Sequence, residues 1–152
     1  MADQDRRTLL AGTLLGAGTA ASVVDLAVFH LLLHWHHFYD LSTTGVALAS
    51  DGLFHAFGWF TTVGSLFLLA DVRRRGTVPW RRWTGGLLLG LGAFQLFDGV
   101  VLHKVLAIHQ IRYGVDLLVY DATWIGTAAL ALAAGLLLLR RSRPARAERP
   151  GR

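Results

Sequence analysis

Long apolar runs separated by short polar segments set the plan of the chain. The first goes from Thr8 to about Phe38, the second from Gly52 to Ala70, the third from about Trp83 to His109 and the fourth from about Leu117 to Leu139. An apolar run of about 18 residues or more is long enough to cross a bilayer as a helix. The pattern predicts an all-α fold, a bundle of four transmembrane helices over residues 9–139. Residues 1–8 form a short N-terminal segment, and residues 140–152 a basic, proline-containing tail expected to be disordered. Gly12, Gly16 and Gly18 in the first run and Gly85, Gly86, Gly90 and Gly92 in the third would weaken a soluble helix. In a membrane they let helix backbones approach closely.

Composition agrees. Hydrophobic residues make up 53% and charged residues 16% of the chain, against about 25% charged in an ordinary soluble domain. The net charge of +5 comes from arginines that flank apolar runs. They form no patch with interleaved aromatics, which argues against nucleic acid as a partner. The chain has no cysteine, so disulfides and thiolate ligands are excluded.

Every Lys and Arg except Lys104 and Arg112 lies in the N-terminal segment, the segment between the second and third runs, or the tail. Basic connections stay in the cytoplasm. Both termini are therefore expected to be cytoplasmic, in a multi-pass protein of the cell membrane. Asp5-Arg6-Arg7-Thr8-Leu9-Leu10 also resembles a twin-arginine export signal, with a cleavage option near Ala20-Ala21-Ser22. The apolar run continues past that point and three more follow, which favours a retained span.

The chain also repeats itself. Asp25, His30 and His36 in the first run recur at the same spacing as Asp98, His103 and His109 in the third. Asp51 opens the second run as Asp121, or alternatively Asp116, opens the fourth. This predicts two parallel copies of a helix pair, residues 9–71 and 83–139, related about an axis along the membrane normal.

All seven histidines, with Asp25, Asp51, Asp98, Asp116 and Asp121, fall toward the outer side. Ionisable groups inside a span cost on the order of 2.5–3.5 kcal/mol and should face the bundle interior. His30, His36, His55, His103, His109 and Asp51 are the candidate metal ligands, with Asp25, Asp98 and Asp121 as candidate partners that orient the imidazoles. Imidazole and carboxylate without sulfur suit zinc, iron or divalent copper. On a regular helix Asp51 and His55 share a face. His30 and His36 do not, so a site assembled across helices from His30, Asp51, His55 and His103 is the expected arrangement. His34 and His37 read as interfacial residues beside Trp35 and Phe38. Trp59 and Trp124 read as packing or interface anchors, and Trp80 and Trp83 as an inner aromatic belt.

At these residues the sequence resembles the DUF2243 family of small predicted bacterial membrane proteins. The residues that carry the likeness are Asp25, His30, Trp35-His36-His37, Asp51-Gly52-Leu53-Phe54-His55-Ala56, Asp98-Gly99, His103, His109 and Tyr120-Asp121. The likeness extends from about Leu15 to about Leu137. Leu26 stands where the family tends to have Gly. Lys104 and Gln110 stand where it tends to have further histidines, and His34 is extra. The resemblance implies no established activity. It implies an association with a cytochrome oxidase assembly protein that handles copper.

The leading expectation is a transition-metal-binding membrane protein, either an accessory factor for metal handling or a respiratory oxidase, or a small metalloenzyme. A b-type haem protein with two axial histidines, a proton relay and a structural subunit with a polar packing network are the alternatives. A proton path lacks polar groups in the inner halves beyond Asp71, Thr61 and Thr62. The chain has no His-Glu-x-x-His motif, and its one glutamate is Glu148 in the tail. Membrane lipid is the expected surrounding, and homo-oligomers are allowed.

Overall fold

A computed structural model describes residues 2–142; the tail from residue 143 lies outside the described residues. Helix α1 (Ala2–Thr19) runs on into a π-helical stretch (Ala20–Leu32). Helix α2 spans Thr44–Arg75 and α3 spans Trp80–Phe97. Helix α3 likewise continues into a π-helical stretch (Asp98–Val105), and α4 covers Leu117–Arg141. Four helical spans are thus long and apolar enough to cross a membrane, and the described residues contain no strand.

The central contact is between α1 and α3. Helix α2 flanks α1 and α4 flanks α3, with no contact between the two flanking helices. The glycines explain why the two central helices meet so closely. A Cβ on Gly16 would strike the carbonyl oxygen of Leu87, and one on Gly90 would strike that of Thr13. The helices therefore pack backbone to backbone, which small residues permit. The flanking helices turn large apolar side chains outward, among them Leu53, Phe60, Phe67, Leu118 and Leu130. Exposed apolar faces of this kind suit a hydrocarbon solvent.

Helix ends follow local chemistry. The Thr43 hydroxyl accepts from Val46 N at the start of α2, and the Asp116 carboxylate accepts from Leu118 N at the start of α4. These are ordinary caps for otherwise unpaired amides. Asp116 is thereby engaged at a helix start, while Asp121 lies inside α4. The helix from Thr44 to Arg75 overruns the apolar run at both ends: the Thr43 cap starts it early, and Arg73, Arg74 and Arg75 are good helix formers that extend it. The first and third helices stop earlier than their apolar runs, at Leu32 and Val105. Shortly after, His34 and Ala107 each adopt φ of 49°, a left-handed conformation that turns the chain out of the helix.

The basic residues gather at one end. There Arg7 pairs with Asp71 at 3.3 Å, Arg82 with Asp5 at 3.7 Å, and Gln4 donates to the Thr77 carbonyl. Trp80 and Trp83 pack edge to face at the same end. The two connections that follow Leu32 and Val105 close the opposite end, joined by a bond from Asp40 N to the Ile108 carbonyl.

Candidate metal centre

The π-helical stretches build the site. A helix closed by bonds to the fifth residue back is wider than an α-helix and brings residues five apart into line. Asp25 and His30 stand in that relation, as do Asp98 and His103. At each exit the winding loosens in the same way. Leu33 N donates to Val28 O and Trp35 N to Phe29 O; Leu106 N donates to Val101 O and Ile108 N to Leu102 O. The left-handed residues His34 and Ala107 then fold the next histidine back over the helix end.

The outcome differs from the regular-helix expectation. His30 and His36 meet, with ring centroids 4.5 Å apart, and His103 and His109 meet at 4.7 Å. Across the two halves His36 and His109 stack nearly parallel at 4.7 Å. All four rings are buried, as are Asp25 and Asp98. Asp25 Oδ1 lies 3.6 Å from Nε2 of both His30 and His36. Asp98 lies 3.1 Å from His103 Nε2 and 3.4 Å from His109 Nε2. Two groups have donor atoms close enough together to hold an ion: Asp25, His30 and His36, and His36, His103 and His109.

The outward ring nitrogens fix the tautomers. His36 Nδ1 donates to the Ile111 carbonyl at 2.9 Å, and His109 Nδ1 donates to the Phe38 carbonyl at 2.8 Å. Each imidazole is thus held by the backbone of the other half. His30 Nδ1 donates to Asp51 Oδ1 at 2.8 Å. A nitrogen that donates to an oxygen carries the ring proton, so the Nε2 lone pair of each of these rings points into the cluster. None of the four Nε2 atoms has a hydrogen-bond partner, and neither do both carboxylate oxygens of Asp98. His36 lies past the end of its helix, and there burial, opposed in part by the Asp25 carboxylate, lowers its pKa below the ordinary histidine value. Neutral imidazole is the form that binds metal.

Of the residues expected to hold a metal, His30, His36, His103 and His109 converge. His55 stands apart, because its ring faces along α2 and its Nε2 accepts from Trp59 Nε1 at 2.7 Å. Asp51 touches the cluster from outside: it also accepts from His37 Nδ1 at 2.6 Å and from Phe38 N at 2.7 Å, which saturates it. Asp25 and Asp98 exchange places with it and face the Nε2 atoms directly. Asp121 pairs with Lys104 at 2.6 Å. The sequence signal for this swap was present in the five-residue spacing of each Asp and His, but it reads correctly only on a π-helix.

Trp124 is buried against the edge of Phe29 and its carbonyl accepts from Gln95 Nε2, while Arg112 covers the Trp35 ring at 4.8 Å. Phe54 lies against His30, with Phe38 stacked on it. Behind Phe38 and Phe54 an apolar cavity of about 730 Å³ opens among α1, α2 and α3.

A family model described as "Predicted membrane protein (DUF2243)" matches residues 11–142. The chain belongs to that family. No curated protein and no solved structure matches it. Within this DUF2243 protein the positions that depart from the expected family pattern have visible roles. Leu26 is buried in an apolar cluster with Ala21 and Phe54. Lys104 bonds Gln110 Oε1 as well as Asp121, and Gln110 Nε2 donates to the His103 carbonyl. His34 is exposed at its turn.

Proposed function

We propose that this membrane protein holds a transition-metal ion among His30, His36, His103 and His109 with Asp25 and Asp98, as a metal-handling or respiratory-oxidase accessory factor or a small metalloenzyme. One observation carries the reading: four buried imidazoles turn unbonded Nε2 atoms into a single space. A buried polar group left unpaired costs about 1–3 kcal/mol, and native interiors rarely tolerate several together. A bound cation satisfies all four at once. Two histidines and one carboxylate from a half leave coordination positions free for a further ligand, a set suited to iron or zinc, and imidazole also suits divalent copper.

A purely structural network would rest on the His–Asp contacts of 3.1–3.6 Å alone, with imidazoles protonated, and would carry no metal on elemental analysis. A haem needs its axial imidazoles on opposite faces of a flat macrocycle. Here His36 and His109 lie face to face in contact. A proton path fares no better: inner groups such as Ser65 and Thr8 are spent on the carbonyls of Ala11 and Gln4. Purified wild-type protein supplied with zinc, iron and copper during expression is expected to carry metal on elemental analysis. The double change His30→Ala with His103→Ala should lose most of it. A wild type free of transition metal sinks the reading.

The basic end is read as cytoplasmic, which puts the centre in the outer half of the membrane. The absence of native cysteine makes this simple to check. In intact cells a membrane-impermeant maleimide should label Ser42→Cys and spare Thr77→Cys. The reverse pattern would place the centre on the cytoplasmic side.

A further inference from the structure

We infer that the centre takes two metal ions per chain and that they bind with unequal strength, the tighter one at Asp25, His30 and His36. The inference rests on the metal-binding reading above and adds the number of ions and their order.

The donors come as two sets: the first is itself a close group, and the histidines of the second close with His36 while Asp98 meets them at 3.1 and 3.4 Å. Asp25, His30 and His36 occupy one side and Asp98, His103 and His109 the other, with each Asp oxygen 3.1–3.6 Å from the Nε2 atoms of its own set. A single ion needs four to six donors, and these six groups carry four unbonded Nε2 atoms and three unbonded carboxylate oxygens. One ion leaves part of this supply buried and unpaired. Two ions, each with two imidazoles and a carboxylate, use it all. His36 belongs to both close groups, so the two positions adjoin.

What lies behind the rings is not equal. His30 is backed by the Asp51 carboxylate and His36 by the Ile111 carbonyl. In the other set His109 is backed by the Phe38 carbonyl, but His103 Nδ1 is buried without a partner. Asp121, the acid that α4 offers, has one oxygen drawn to Lys104 and the other buried and unpaired. A carboxylate behind a ligand histidine fixes its tautomer and raises its basicity, and losing such a partner typically lowers metal affinity about 10–100-fold. The first set has this support and the second lacks it.

Titration of metal-free protein in detergent with cobalt(II), followed by visible absorption and by elemental analysis after desalting, tests both points. Wild type should bind two equivalents in two phases about 10–100-fold apart in affinity. Asp98→Ala should keep one equivalent at the tight affinity. Asp51→Asn, which keeps the side-chain volume, should weaken the tight phase toward the other. Helix content by circular dichroism confirms that each variant is folded, and the wild-type endpoint decides the stoichiometry without any variant. An endpoint at one equivalent overturns the inference while leaving the metal-binding reading in place. Two equal phases unmoved by Asp51→Asn overturn the unequal strengths. No cobalt bound at all removes both readings.

Discussion

Replacing His36 with alanine is expected to abolish the tighter phase of metal binding. His36 is the one residue shared by both close donor groups, and its ring stacks on His109 and meets His30 edge on. Its loss subtracts a direct ligand from the tighter set and removes the ring that stacks on His109 in the other. Since even an outer partner of a ligand is worth about 10–100-fold in affinity, a direct ligand should be worth more than about 100-fold. Two neighbours give the contrast. His34→Ala changes an exposed residue outside both groups, and His55→Ala breaks a bond to Trp59 that faces away from the cluster. Both should keep wild-type metal content. Elemental analysis of the three variants side by side separates a specific centre from histidines that bind metal at random. Equal losses in all three would contradict the geometry.

Gly90→Leu should be the most destructive single change outside the centre. A side chain there meets the carbonyl group of Thr13, and the Ala17 amide lies 2.9 Å from where its Cβ would stand. These are backbone atoms of α1, so no rotamer can yield, and the central pair must separate. Overpacking of this kind costs about 1–3 kcal/mol and occasionally more; with backbone on the far side the upper end is expected. Because α1 and α3 lead directly into the two π-helical stretches, the metal sets should separate with them. Thermal denaturation in detergent should show a lowered midpoint and metal retention should fall together. At Gly64 a Cβ meets nothing within 4 Å. Gly64→Ala should leave both unchanged or raise stability slightly, through better helix propensity.

The architecture was legible in the sequence because a membrane span is a composition signal. Runs such as Leu117 to Leu139 leave little room for another reading, and the glycines of the first and third runs announced the close central pair. The site was legible as a set of residue types and not as a geometry. His30, His36, His103 and His109 stood out as ionisable groups in apolar surroundings. Their neighbours differ from the expected ones because the expected helix was regular. On an α-helix Asp25 points away from His30, and Asp51 with His55 forms the natural pair. On a π-helix Asp25 comes under His30, and Asp51 moves behind it. No local sequence rule marks Ala20 to Leu32 as π-helical. The first stretch packs against α2 and α3 and the second against α4, surroundings that a reading of one helix at a time does not see. The Lys104 to Asp121 pair was missed for a related reason: Lys104 read as an outer-loop charge, whereas the helix carries it back over α4.

The crossed backbone contacts bear on when the centre comes into being. His36 hangs on the carbonyl of Ile111, and His109 on that of Phe38. During synthesis the first helix pair enters the bilayer while Ile111 is still to be added. At that stage His36 has no acceptor for its ring proton and Asp98 does not yet exist. Only when the third helix is in place, with the turn beyond it, do the imidazoles acquire their final aim. If the centre takes metal as proposed, loading belongs to the end of biogenesis. A chain truncated before Ile111 would carry all four cluster histidines, His109 included, yet would lack the anchor that orients His36.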